Sequence, residues 1–376
     1  MTVEQGGTRT FMVLSGPFRN VGDTIIRRRG IQWLQAAGTP HVYVGAGRER
    51  WVADVVPDGD VVVHTRFTAW LRALLRTPRR SRALALEPGE FSTDHRFARP
   101  VLAAAVLAVV VRLTGGRVLQ LPRALAASSP GWGAVYGVAV RVADIALWRE
   151  ERSATRFRRG SLVPDIAFDD PLADPAGSAS RSLLTISLRG DREPVDARWF
   201  DAVRGAAADL GLQPCVVVQV ESDGPRATEI AAELDAELVS WPAQVSSSEQ
   251  EEALRSVYRR TAITVSDRLH VLVVAAVEGS LVAQVAVRPT TKIERHMLAA
   301  GVPCPSFDTG RDSAAVVREG LSSLASQRED VLRRVGIARE KAAWVRRAST
   351  TTLRGRPTFG IAERPVTGSL VEEPTT

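Results

Sequence analysis

Two successive series of short apolar runs, each run followed by a stretch of helical periodicity, dictate most of what this chain can fold into. In the first half the runs fall at 11–15, 42–44, 61–64, 83–86, 118–121 and 145–148, with a helical pattern over 24–37 after the first. A second series follows at 183–188, 215–220, 237–239, 262–265 and 281–287, with helical patterns at 197–210, 227–235 and 247–259. Strands that alternate with helices make parallel sheets covered by helices. Between the two series the chain turns to Pro, Gly, Ala, Ser and Asp without periodicity, the composition of a linker. The expected fold is therefore α/β, with two Rossmann-like doubly wound domains facing across a cleft. The domains are expected at 10–168 and 182–310, with a linker at 169–181. Helices over 311–348 are expected to pack back across both domains, and 349–376, rich in Thr, Pro and Gly, is expected to be disordered. Ligands in such sheets bind at the carboxyl ends of the strands.

Composition narrows the function classes. The formal charge is +7, yet Lys292 and Lys341 are the only lysines, so the excess is arginine interspersed with Asp and Glu. With no zinc-finger or basic-zipper spacing and few aromatics, nucleic acid is not an expected partner. Cys215 and Cys304 alone provide neither a disulfide framework nor a thiolate metal site. No pair of histidines has metal-ligand spacing with a carboxylate, so no metal is expected. Residues 1–9 are polar and lack the pattern of a signal peptide, which points to a cytoplasmic location. The most apolar stretch, 101–111, is too short to span a bilayer and reads as a buried helix. Arg72, Arg76, Arg79, Arg80 and Arg82 cluster about a helical pattern at 70–75, which adds a peripheral contact with the membrane face as a secondary expectation.

The most informative junction is Ser266-Asp267-Arg268-Leu269-His270, between an apolar strand and an apolar helix. The first turn of a helix offers unpaired N–H groups and the positive end of its dipole, which suits an anion. Arg268 adds a fork for carboxylate or phosphate, and His270 a group that exchanges protons near neutral pH. Arg189, at the end of the strand at 184–188, puts a second cation on the same sheet edge, unless Asp191 or Glu193 neutralises it. In the first domain, Gly16 to Asp23 links the first strand to its helix, with Gly22 permitting close backbone approach and Asp23 a candidate N-cap. Arg149-Glu150-Glu151-Arg152-Ser153 enters another helix, with Ser153 a candidate N-cap. His64 ends a strand and is placed at the cleft, whereas His41 and His95 sit in polar surroundings and read as surface residues. Lys292 and Arg295 add positive charge beside His296.

In this order the segments resemble the polysaccharide pyruvyl transferase family. The resemblance is carried by Asn20-x-Gly22-Asp23, by Arg149-Glu150-x-Arg152-Ser153 leading to Val163-Pro164-Asp165-Ile166-Ala167-Phe168, by Arg189, and by Asp267-Arg268-Leu269-His270 with Lys292 downstream. It spans roughly residues 11–305, and the Arg-Leu-His segment is its most specific part. The resemblance implies a GT-B-like fold and transfer of pyruvate from phosphoenolpyruvate, as a ketal, onto a sugar of a cell-wall or exopolysaccharide precursor, free or lipid-linked. No cofactor is implied, phosphoenolpyruvate being a co-substrate. It further implies that Arg268 and Arg189 hold the donor's phosphate and carboxylate, with the Leu269 and His270 backbone and Lys292 assisting. His270 is then the leading acid/base, with Arg268 beside it in catalysis, and Asn20, Gly22, Asp23 and His64 line the acceptor side of the cleft. The chain departs from the family where a glycine-rich turn is usual, reading His64-Thr65-Arg66-Phe67-Thr68, and again at Leu119-Gln120-Leu121-Pro122-Arg123. Both departures fall in the first domain and leave the acceptor open. The alternatives are a GT-B-type glycosyltransferase using a sugar nucleotide, with Glu294 on its ribose or sugar, and a non-catalytic glycan-binding relative.

Overall fold

The computed structural model of the protein describes residues 7–170 and 181–355. Its first domain holds β1 (Thr8–Val13), β2 (Gly38–Tyr43), β3 (Val62–His64), β4 (Arg82–Leu86), β5 (Gly89–Thr93), β6 (Arg117–Ser128), β7 (Ile145–Trp148) and β8 (Ser161–Leu162). These hydrogen-bond in the order β3-β2-β1-β4-β6-β7-β8, every pair parallel, with β5 on the C-terminal half of β6. The second domain holds β9 (Leu183–Ser187), β10 (Gln213–Val217), β11 (Glu237–Val239), β12 (Thr261–Ser266), β13 (Leu281–Ala286) and β14 (Ser306–Asp308), parallel in the order β11-β10-β9-β12-β13-β14. In both sheets the order reverses beside the first strand, which opens a crevice at the carboxyl ends. The two doubly wound domains face each other across it, the GT-B-like arrangement expected.

Helices cover both faces of each sheet, so central strands are apolar throughout: every residue of β7 and β13 is buried. In the first domain α1 (Val21–Gln35) and α2 (Glu49–Val55) lie on one face. The other face carries α3 (Phe67–Arg76), α4 (Ala98–Leu113), α5 (Pro130–Val142) and α6 (Glu151–Phe157), packed around Trp70, Tyr136 and Trp148. The second domain contributes α7 (Ala197–Asp209), α8 (Gly224–Leu234), α9 (Ser247–Arg260), α10 (Leu269–Val277) and α11 (Thr291–Ala300). Helix ends follow local chemistry. Ser246 and Glu249 form a reciprocal capping box at α9, worth about 1 kcal/mol, and Asp196 caps α7.

The chain closes with α12 (Ala314–Ser326) and α13 (Arg328–Leu353). As expected, α13 crosses between domains. Arg328 near its start donates to Gly279 O in the second domain (2.8 Å), and Leu353 at its end accepts from Thr8 Oγ1 in the first (3.1 Å). The helix runs past residue 348 because Ser349 and Leu353 are buried against the first domain; the remainder of the expected tail lies outside the described residues.

Other expectations need correction. Asp169 and Asp170 are not linker. Asp169 accepts from Trp33 Nε1 (2.6 Å) and Arg346 (2.8 Å), and Asp170 is ion-paired with Arg29 and Arg255. Arg181 donates to Tyr258 O, Thr261 O and Glu278 O, so the expected linker reduces to 171–180, outside the described residues. The apolar stretch 101–111 is a helix but not a buried one. In α4 only Val101, Ala105, Ala108 and Val111 are buried, while Leu102 and Val106 face outward.

Candidate functional site

The site is built where the two leading strand-to-helix junctions meet. In the second domain β12 and α10 are both apolar and buried, so the polar residues between them are forced to the sheet edge. Arg268 is the N-cap of α10 but supplies no side-chain cap, and the leading N–H groups of Leu269 and His270 lack intrahelical acceptors. The Arg268 guanidinium is not empty-handed. It forks onto Asp223, which is nearly fully buried and also accepts from Gly190 N (2.8 Å). Arg189 stands beside it, its backbone N held by Asp267 (2.9 Å) and its guanidinium paired with Asp191 at 2.8 and 2.7 Å. The hydrogen bond from Arg189 draws the Asp191 carboxyl down to about 2, while burial raises that of Asp267. Arg189 and Arg268 thus share one sheet edge, each with a carboxylate partner. The exposed Asp191 is the exchangeable one.

The first domain reaches across through the segment before α1. Arg19 adopts φ 54° and turns its guanidinium onto Trp241, the carbonyls of Pro242 (2.8 Å) and Val245 (2.9 Å), and Glu221 (2.7 Å). Asn20 bridges to Val220, and Val21 N donates to Gln219 O (3.1 Å). This segment is therefore an interdomain strut as well as a cleft wall. Asn20, not Asp23, is the N-cap of α1: its side chain accepts from Asp23 N (3.2 Å) and donates to the Asp23 carboxylate (2.7 Å). Asp23 sits in the first turn, paired with Arg27 (2.8 Å). Burial opposes its charge, but Arg27, His270 and Arg149 outweigh that and hold its carboxyl below the usual range. Gly22 packs directly on His270, where an added Cβ would overlap the imidazole-bearing Cβ.

His270 completes the junction. Its Nε2 lies 3.1 Å from Arg149 Nη1 and 3.5 Å from Asp165 Oδ2, and among the described residues Nδ1 has no hydrogen-bond partner. Arg149 and Asp165 are ion-paired and about 2% and 1% exposed, so the triad is set in a protein-lined floor. Burial works against the Asp165 charge, yet Arg149 and His270 outweigh it and hold the carboxyl far below the ordinary range. Asp165 also caps the turn that follows, accepting from Ala167 N (3.0 Å), which fixes its orientation. His296, on α11, is buried beside this floor; burial and the nearby Arg149 keep its imidazole neutral, and among the described residues its Nε2 has no hydrogen-bond partner.

The rim is polar. Lys292 pairs with Glu90 of the first domain (2.5 Å), and Arg295 with the buried Glu150 (2.8 Å), two bridges across the cleft. Ser153 is not the N-cap of α6; Glu150 holds that position, and Ser153 Oγ donates to it (2.6 Å) while accepting from Leu125 N (2.8 Å). His64 does not join the site. It lies on edge strand β3, two strands from β1, and hydrogen-bonds His41 (3.1 Å), which stacks on Phe11 within the layer beneath α3. His41, expected at the surface, is therefore buried. Gln120 and Arg123 are likewise structural, joined through the Tyr136 hydroxyl at 2.9 and 2.8 Å. Glu294 is exposed, on the side of α11 opposite Lys292 and His296.

Sequence reasoning singled out the segments containing Arg149 and Asp165 but not their role; it offered Asp191 as a partner of Arg189, as found, but missed Asp223 and Glu90 as partners of Arg268 and Lys292. Those pairings join distant positions. The available signal was that Arg149 directly follows a buried strand, at the edge where ligands bind. Among the described residues no group of acidic, His or Cys side chains is arranged to hold a metal.

Neither a family model nor a curated protein matches the sequence. Solved structures do match in fold. The UDP-GlcNAc 2-epimerase from Neisseria meningitidis bound to UDP-GlcNAc aligns with TM-score 0.56 at 10% identity, over 92% of this chain and 100% of that one. MnaA from S. aureus in its co-structure with UDP aligns with TM-score 0.53 at 10% identity, over 94% and 100%. The glycotransferase of kitacinnamycin aligns with TM-score 0.50 at 12% identity, over 94% and 100%. At these identities the likeness is one of fold: the chain is built as a GT-B-like pair of α/β domains.

Proposed function

We propose that the cleft transfers pyruvate from phosphoenolpyruvate, as a ketal, onto a sugar of a cell-wall or exopolysaccharide precursor. The observation that supports this best is the junction itself. The His270 imidazole lies on the first turn of a helix whose N-terminus has no side-chain cap, with two arginines on the same sheet edge and a wall formed by Asn20, Gly22 and Asp23. That combination suits a small, highly charged donor and a hydroxyl acceptor.

In this reading the donor's phosphate and carboxylate lie over the α10 N-terminus, held by the N–H groups of Leu269 and His270 and by Arg268, Arg189 and Lys292. The Asp191 carboxylate swings into solvent as the anion takes its place. Protonation of C3 of the enol leaves C2 electron-poor. One sugar hydroxyl adds to C2 and loses its proton; a second then displaces phosphate, which leaves with its bridging oxygen and one proton. His270 Nδ1 is the group that exchanges protons, in the tautomer whose Nε2–H faces the Asp165 carboxylate (3.5 Å). Asp165, kept ionised by Arg149, stabilises the imidazolium formed when His270 accepts a proton.

A second reading, glycosyl transfer or epimerisation of a sugar nucleotide, is favoured by the fold comparison, because the aligned epimerase structure carries UDP-GlcNAc and the aligned MnaA structure carries UDP. The outward position of Glu294 removes the side chain that sequence offered for nucleotide contact. A non-catalytic glycan-binding relative is the third. Phosphate release from phosphoenolpyruvate with a panel of glycan acceptors separates them: pyruvyl transfer requires release that depends on acceptor and vanishes in His270→Ala. Turnover of a sugar nucleotide instead, or none with either donor, would favour the second or third reading.

A further inference from the structure

The outer face of α3 and α4 carries a surface that the cleft chemistry does not use. Residues 61–86 and 95–143 contain no Asp or Glu, although the chain has 42 acidic residues, and they contain twelve arginines. Of these, Arg66, Arg72, Arg76, Arg79, Arg80, Arg96, Arg99, Arg112 and Arg141 are exposed. Arg82 is buried instead, donating to Leu74 O (3.3 Å) and Thr114 Oγ1 (2.7 Å), and so ties the C-terminal ends of α3 and α4 together. Apolar side chains stand among these cations. On α4, Leu102, Val106 and Leu113 form one stripe at helical spacing and are 48, 51 and 82% exposed. On α3, Leu75 is 54% exposed, and Phe67 and Phe97 are exposed at the ends of α3 and α4 nearest the cleft. Single exposed apolar residues are ordinary, but a stripe of them in a field of arginines, of which Arg112 alone is ion-paired among the described residues, with Asp144 at its border (3.8 Å), is not.

We propose that this face docks on an anionic lipid bilayer, with the α4 stripe entering the headgroup region and the arginines pairing with lipid phosphates. Charge complementarity selects this occupant. A second copy of the same face would bring arginines against arginines, and a nucleic acid would leave the aliphatic stripe in water. Membrane-surface helices combine these two features, an apolar stripe flanked by cations. No helix among the described residues is long and apolar enough to cross a membrane, so the contact is one of surface docking. Because Phe67 and Phe97 lie at the carboxyl edge of the first sheet, docking would set the cleft mouth beside the lipid. The inference does not depend on which donor the cleft takes.

The test is co-sedimentation of the full chain with vesicles of phosphatidylglycerol and phosphatidylcholine, against vesicles of phosphatidylcholine alone, at low and high salt. Binding confined to the anionic vesicles and weakened by salt is expected. Arg76→Gln/Arg79→Gln/Arg80→Gln should weaken it on the order of 100-fold, from a roughly fivefold loss per arginine. Leu102→Ser/Val106→Ser, both at exposed positions, should weaken it while leaving the thermal transition unchanged. Absence of vesicle binding, binding insensitive to both variants, stronger binding to an oligonucleotide, or a dimer dispersed by Leu102→Ser/Val106→Ser would each overturn the proposal.

Discussion

Gly22 of the first domain and His270 of the second are packed so closely that a methyl group has no room between them. The contact couples domain apposition to placement of the acid/base imidazole. It follows from Arg19, whose anchorage on Trp241, Pro242 and Val245 draws the start of α1 onto the second domain. Gly22→Ala must therefore push the domains apart or displace the ring. Overpacking of this kind costs about 1–3 kcal/mol. Thermal unfolding should report that loss, and turnover should fall further than stability explains; a fully active Gly22→Ala would show that the contact has slack.

Asp165 titrates in the direction that makes the fold acid-sensitive. Its carboxyl is depressed in the folded protein relative to an ordinary value near 4, so the unfolded chain binds more protons as pH falls. The stabilisation it contributes is full above about pH 5 and is lost progressively below pH 4. Asp165→Asn should therefore flatten the acid limb of the stability curve measured by denaturant unfolding. At neutral pH the same variant strands Arg149 in the floor, and breaking a buried pair costs about 3–5 kcal/mol. An unchanged acid limb would show that Asp165 is not the titrating group.

His41 gives a second, separate pH window. Burial and the neighbouring His64 lower its imidazole to about 4. Between that value and the ordinary value near 6.5 the unfolded chain takes up a proton that the folded chain refuses, so stability falls as pH drops through this interval. His41→Phe, which keeps the stacking on Phe11, should reduce the slope between about pH 4 and 6.5, to which the similarly lowered His64 and His296 also contribute. An undiminished slope would assign it elsewhere.

Asp191 and Asp223 predict opposite results though each neutralises an arginine. Asp191 is 64% exposed, whereas Asp223 is 3% exposed and holds both Arg268 and Gly190 N. Asp191→Asn should free Arg189 and tighten phosphoenolpyruvate binding several-fold by calorimetry. Asp223→Asn should weaken it, because Arg268 loses the group that aims it. Equal effects from the two would mean that neither arginine touches the donor.

The strands and the principal junction were legible because buried parallel strands are apolar throughout, as at β7 and β13, and because β12 and α10 leave Asp267, Arg268 and His270 as the part-exposed polar residues between them. β5 was not legible: Gly89-Glu90-Phe91-Ser92-Thr93 has neither an apolar run nor clean alternation, and it pairs only with the extension of β6. His64 was misplaced for a related reason. An apolar run shows where a strand ends but not which face its last side chain takes, and here that face is the α3 side. Asp223, 45 positions from Arg268, is invisible as its partner until β9, β10 and β12 are laid side by side. The local chemistry of the anion site could be read, Asp191 beside Arg189 included, but the carboxylate that holds Arg268 belongs to tertiary structure.

Calorimetric titration of phosphoenolpyruvate and of a panel of UDP-sugars into the purified protein and into Arg268→Ala addresses the central claim most directly. Saturable binding of phosphoenolpyruvate is expected, weakened in Arg268→Ala by about 1.5–3 kcal/mol, the range for a hydrogen bond to a charged group, with no comparable binding of a sugar nucleotide. Binding of a UDP-sugar without phosphoenolpyruvate, unaffected by Arg268→Ala, would contradict it and make the cleft a nucleotide site.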